Sequence, residues 1–192
     1  MRPLTLDHVA LWVADREPIA DFVTAHVGMH VIEQTDRFTL VGSDARRGKL
    51  TLFDAEGPRE QGALKHVALR VSDLRAAIAE LPENLPVDQP RDGEAYFDVS
   101  EGLRLGLVEA STEVGGAFVE LHDGDPGDPE RPLLNHLAVL VDSAEEHITE
   151  AEELGVEIDD VVDAPNTYAV FLWGPERVRV EYVEHKASFS LT

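Results

Sequence analysis

Cysteine is absent from this 192-residue sequence, and lysine occurs only three times. Without cysteine the chain forms neither disulfides nor thiolate metal ligands, so a bound metal would be held by histidine, carboxylate or main-chain oxygen. No apolar run reaches the ~18 residues of a membrane-spanning helix, and the first residues lack the apolar segment of a signal peptide. We therefore expect a cytoplasmic protein that has no membrane partner.

Basic residues are also scarce, since 16 Lys and Arg face 38 Asp and Glu and give a formal net charge of -22. A surface this negative repels phosphate backbones, so nucleic acid is not an expected partner. The hydrophobic fraction of 43% is sufficient for a buried core. The length allows one sizeable domain or two small ones.

A strand pattern with a histidine in its third position occurs three times, beginning at residues 6, 64 and 134. In each copy, leucine, histidine and alanine alternate on one face of the strand, and three aliphatic residues lie on the other. We expect the aliphatic face to pack on a helix and the histidine face to point away from it. The three histidines are His8, His66 and His136.

A helix and about three further strands are predicted after each copy. The helices follow Asp15, Ser72 and Ser143, where Ser143 and Glu146 form a capping box and Gly155 ends the third helix. The resulting βαβββ modules span residues 1–60, 61–110 and 134–192, and residues 111–133 hold a strand and a Gly/Asp/Pro-rich linker. This pattern predicts an α+β fold whose curved mixed sheets form a cup with the helices outside.

Two side chains of module three are predicted to point into the cup. His136 on its first strand and Glu181 on its last strand both alternate away from the helix-facing aliphatics. A lone strand histidine is more often a hydrogen-bonded core residue, but a carboxylate flanked by aliphatics is costly to bury unpaired. If modules two and three pair, His66 joins them, and two imidazoles with one carboxylate leave coordination positions open. We therefore predict a metal site at these three residues.

The same position carries no carboxylate in the other two modules, where it is occupied by Thr51 and Gly106. His8 consequently has no acidic partner of its own module. We interpret His8 as structural, as a remnant of duplication, or as a fourth candidate ligand, in that order.

These repeats resemble the vicinal oxygen chelate superfamily, which includes glyoxalases, bleomycin-resistance proteins and extradiol dioxygenases. Residues 64–185 most resemble the catalytic domain of type I extradiol ring-cleaving dioxygenases. The resemblance implies that His66, His136 and Glu181, separated by 70 and 45 residues, hold a divalent metal, with Fe(II) favoured over Zn, Mn and Ni. It also implies that His122, 14 residues before His136, is the catalytic acid/base.

Two features of that family are missing. The tyrosine expected ten residues before the final glutamate is Phe171, and no histidine occurs between residues 148 and 184. Tyr168 alternates to the opposite face of the same strand. The functions implied are therefore ring cleavage of a catechol-like small molecule, a glyoxalase-like isomerase or lyase reaction, or metal-free binding of a small ligand.

The odd number of modules predicts an assembly. If modules two and three pair, module one is left to pack on the strand within residues 110–133 or on module one of a second chain. We expect a homodimer, because a second copy is the simplest cover for an unpaired module.

Overall fold

The computed structural model describes residues 4–44, 47–57, 59–110, 130–174 and 177–189. Its elements confirm the α+β class. Module one comprises β1 (Thr5–Val13), α1 (Arg16–His26), β2 (His30–Gln34), β3 (Phe38–Asp44) and β4 (Arg47–Asp54). Module two comprises β5 (Val67–Val71), α2 (Leu74–Ala79), β6 (Glu94–Asp98) and β7 (Arg104–Glu109). Module three comprises β8 (Leu134–Leu140), α3 (Ala144–Leu154), β9 (Ile158–Asp163), β10 (Thr167–Trp173) and β11 (Arg179–His185).

The strands form one large sheet and one small sheet. The large sheet has the order β2-β3-β4-β1-β8-β11-β10-β9, so modules one and three join through an antiparallel pairing of β1 with β8. The small sheet has the order β5-β7-β6 and belongs to module two alone. Within each module the first and last strands run parallel. This corrects our expectation that modules two and three pair, because module two is the one outside the shared sheet.

Module two is reduced in a way that explains this difference. Its first strand has five residues, and the strand expected directly after its helix is represented by an isolated bridge between Asp88 and Tyr96. Its cup face also carries charge, because Arg70 occupies the position of Trp12 in module one and Leu140 in module three. A short strand with a charged face is a poor partner for an apolar β-strand.

The hydrophobic core lies on the helix side of module one and continues into module two. Leu11 and Val13 of β1 and Ile19 and Val23 of α1 have no exposed surface. Phe22 of α1 contacts the buried ring of Phe97 in β6 at 5.8 Å between ring centroids, so α1 lies between the two sheets. Module two therefore supports module one from behind the cup.

The helix ends follow the predicted capping residues. The Asp15 side chain accepts from the backbone N–H of Glu17, and the Ser143 hydroxyl accepts from that of Glu146 at 3.2 Å. Gly155 ends α3 in the left-handed conformation, with φ of 68°. Among the described residues, no helix is long and apolar enough to cross a membrane.

Candidate metal centre

The strand register places three residues at equivalent positions of the three modules. Glu181, Thr51 and Gly106 each pair with the alanine that follows the strand histidine by two residues. The equivalence inferred from the sequence is therefore confirmed. Only module three offers a carboxylate there.

His8, His136 and Glu181 converge where the first strands of modules one and three meet. The two Nε2 atoms are 3.0 Å apart, and Glu181 Oε2 is 2.9 Å from His136 Nε2 and 3.4 Å from His8 Nε2. The antiparallel register sets His8 opposite Ala138 and His136 opposite Ala10, so each imidazole lies beside a methyl group rather than a bulky side chain. His136 and Glu181 are buried, and His8 is half-buried.

Two β-bulges orient the imidazoles. Asp7 on β1 and Asn135 on β8 have no partner residue in the pairing of these two strands. Each of them therefore points to the same face of the sheet as the histidine that follows it. His8 Nδ1 donates to Asp7 Oδ1 at 2.8 Å, and His136 Nδ1 donates to Asn135 Oδ1 at 3.0 Å. Both Nε2 atoms therefore present lone pairs to the centre, as metal-binding histidines do.

This donor set fits a divalent cation. Two imidazole lone pairs and a carboxylate oxygen, all acceptors, meet at one point, which is unfavourable unless a cation lies between them. Ligands about 2 Å from one ion lie about 3 Å from one another, in agreement with the separations of 2.9 to 3.4 Å. Burial lowers the pKa of His136, and the hydrogen bond and charge of Glu181 only partly oppose this, so the ligand form of the imidazole is favoured.

A buried ionic network supports His8 from behind. Asp7 Oδ1 also accepts from Lys49 Nζ at 2.9 Å, and Asp7 Oδ2 is 3.1 Å from His185 Nε2. Burial alone would raise the pKa of Asp7. The hydrogen bonds from His185 and His8, with the charge of Lys49, instead hold the pKa of Asp7 well below its usual range. Asp7 is therefore a carboxylate that fixes the His8 ring.

Aromatic rings line the cup on both sides of the centre. Phe171 of β10 meets the His136 ring edge-on at 5.2 Å, and Phe53 of β4 lies 6.5 Å from it. On the rim of module one, Phe53 also contacts Trp12 and Phe38. These walls suit a flat, apolar ligand body.

Tyr168 points to the helix side, as its alternation predicted. Its hydroxyl donates to Glu145 Oε2 of α3 at 3.0 Å. It therefore does not replace the hydroxyl that Phe171 lacks.

Of the residues predicted as ligands, the structure brings His136 and Glu181 together but not His66. His66 precedes β5 in the small sheet, and its ring contacts Tyr96 at 4.8 Å. The Tyr96 ring also covers Gly106, where an added Cβ would lie 2.7 Å from it. His8 takes the place that we assigned to His66, because module one rather than module two joins module three.

The sequence contains a signal for this choice. The residue before the strand histidine is Asp7 in module one and Asn135 in module three, and both offer an oxygen acceptor to Nδ1. In module two that residue is Lys65, which has no acceptor. His122 and the strand expected at residues 117–121 lie outside the described residues.

Comparison with known proteins gives a family match over part of the chain and a fold over nearly all of it. Residues 5–92 match the model of the Glyoxalase/Bleomycin resistance protein/Dioxygenase superfamily. A candidate dioxygenase from Bacillus subtilis subsp. subtilis str. 168 superposes with a TM-score of 0.73 and 15% identity, covering 96% of this chain and 86% of that one. Glyoxalase I from Zea mays superposes with a TM-score of 0.50 and 14% identity, covering 98% of this chain and 70% of that one. No curated protein matches the sequence. The family match over residues 5–92 and the fold shared with these structures are consistent with the glyoxalase, bleomycin-resistance and dioxygenase superfamily that the repeated modules resemble.

Proposed function

We propose that this chain is a metal-dependent extradiol ring-cleaving dioxygenase that acts on a catechol-like aromatic, with Fe(II) held by His8, His136 and Glu181. The observation that supports this most is the composition of the donor set. Two imidazoles and one carboxylate form the facial arrangement typical of non-haem Fe(II) oxygenases, with positions left open for small ligands. Thr51 occupies the fourth position, where a second carboxylate would close the site.

The bound metal would supply Lewis acidity and the redox chemistry needed to combine a catechol with dioxygen. The chain's own residues would orient the ring and exclude water, chiefly Phe171 and Phe53 on opposite walls. Glu181 and two neutral imidazoles contribute a single negative charge, which leaves a net positive charge for an ionised catechol. A proton must then leave the substrate hydroxyl, and the family resemblance assigns its acceptance to His122.

A second candidate is a metal-dependent isomerase or lyase that uses Zn, Mn or Ni. It is favoured by Phe171, which places a hydrocarbon edge against His136 where ring-cleaving relatives have a hydroxyl. Proton transfer between adjacent oxygen-bearing carbons needs the metal and one base, and it needs no hydroxyl at that position.

Oxygen uptake separates the two candidates. The protein would be purified anaerobically, loaded with Fe(II), assayed for metal content and mixed with a panel of catechols in an oxygen electrode cell. We expect uptake coupled to loss of the catechol in the wild type and in His66→Ala, and no uptake in His8→Ala. If fully iron-loaded wild type consumes no oxygen with any catechol, the dioxygenase proposal is wrong and the isomerase or lyase reaction takes its place.

A further inference from the structure

Each module carries a basic residue in its last strand, two positions before the place that Glu181 occupies in module three. These residues are Lys49, Arg104 and Arg179. Their surroundings differ. The Lys49 side chain is only 5% exposed and is therefore closed to a ligand, whereas Arg104 belongs to the small sheet, away from the metal centre. Only Arg179 combines this position with the cup of the candidate active site.

Arg179 lies beside the metal centre. It shares the strand face of Glu181, and its Cα is about 7 Å from that of Glu181 because two residues of a strand span that distance. Val180 pairs with Leu137, so Arg179 is level with His136 on the neighbouring strand.

The guanidinium group is held in place but retains free donors. Its carbon lies 4.1 Å from the centroid of the Phe171 ring. Nε and Nη2 both contact Asp159 Oδ2, at 2.7 and 2.6 Å. Asp159 is itself fixed, because it occupies a bulge of β9 and accepts from Trp173 Nε1 at 2.8 Å. Arginine carries five N–H donors, Nη1 has no hydrogen-bond partner among the described residues, and the Arg179 side chain is 21% exposed.

We propose that Arg179, supported on Phe171, binds an anionic group of the substrate, most simply a carboxylate attached to the catechol ring. This inference rests on the proposed function and adds the class of substrate. A ring whose oxygens lie at the metal centre extends along the Phe171 wall and places a substituent next to the guanidinium. A planar fork of N–H donors is matched to a carboxylate. Asp159 holds the Nε and Nη2 edge of the guanidinium, and the Nη1 edge is left for a carboxylate of the substrate.

Protocatechuate and its carboxamide test the proposal, because they differ in charge but hardly in shape. Binding of each to the metal-loaded protein would be measured by anaerobic isothermal titration calorimetry, with metal content and oxygen uptake determined on the same samples. The variants are Arg179→Met and the control Arg104→Met. Arg104 has the same repeat position, an aromatic neighbour in Tyr96 and an acidic partner in Asp98, but no contact with the centre.

We expect the wild type and Arg104→Met to bind the carboxylate at least tenfold more tightly than the amide, and Arg179→Met to bind the two about equally with unchanged metal content. Equal binding by the wild type, an undiminished preference in Arg179→Met, or no binding of either compound would overturn the inference. The same experiment tests the proposed reaction independently. If the protein prefers the carboxylate but consumes no oxygen, the anion site at Arg179 stands and the dioxygenase proposal is wrong. If it consumes oxygen but shows no preference, the dioxygenase proposal stands and the anion site is wrong.

Discussion

Asp7→Asn tests how much the buried ionic network behind the metal centre contributes to stability, because it changes that network and leaves the three metal ligands in place. Asparagine is already the residue at the equivalent bulge of module three, Asn135, and its carbonyl can still accept from His8 Nδ1. The change therefore preserves shape and removes one negative charge. What it leaves behind is the Lys49 ammonium, which like Asp7 has a side chain only 5% exposed.

The expected loss of folding stability follows from the unpaired charge of Lys49. Removing one partner of a buried ion pair costs about 3–5 kcal/mol. For a chain of this length, this corresponds to a fall in Tm on the order of 10 °C. The free energy of unfolding would be measured by urea denaturation of the metal-free protein, so that metal binding does not contribute to it.

A double variant provides the control. Asp7→Asn/Lys49→Met removes both charges, and we expect it to regain most of the stability lost in the single variant. The pKa of Asp7 is depressed in the folded state, so its contribution is present at neutral pH. It fades as the pH falls below the ordinary aspartate value of about 3.9. A loss below about 1 kcal/mol at neutral pH, or no recovery in the double variant, would refute the reasoning.

Three further predictions concern the centre and the assembly. Glu181→Gln removes the charge that balances the cation, so metal affinity should fall at least tenfold in a chelator competition while the circular dichroism spectrum is unchanged; unaltered affinity would make Glu181 structural. Thr51→Glu supplies a fourth ligand, so it should raise metal affinity and abolish oxygen uptake; weaker binding would mean that a side chain at position 51 does not reach the metal. A homodimer is expected because module two shares a sheet with no other module in the part of the chain that the structure describes, and a monomer by light scattering at micromolar concentration would contradict it.

The elements within each module were predictable because their signals are local. The capping residues Asp15 and Ser143 begin helices, Gly155 ends one, and the alternation around Glu181 correctly sets the face that it occupies. Such patterns depend on neighbours only a few residues away. They were sufficient to identify the α+β class and to align the three repeats.

The pairing of modules was not predictable from adjacency along the chain. Our expectation joined modules two and three because they follow one another, whereas the sheet joins β1 to β8, more than a hundred residues apart. The preference depends on the long-range fit of two strands and two matching bulges, which no local period reveals. Comparing Asp7 and Asn135 with Lys65 would have indicated that His8, rather than His66, belongs to the site.

The metal content of three proteins tests the central claim most directly. Wild type, His8→Ala and His66→Ala would be purified anaerobically, loaded with Fe(II), desalted and analysed by elemental mass spectrometry. His8 and His66 hold the same repeat position, so each variant is the control for the other. Our account predicts about one divalent ion per chain in the wild type and in His66→Ala, and a large loss in His8→Ala. A wild type that retains no metal, or a loss confined to His66→Ala, would contradict it.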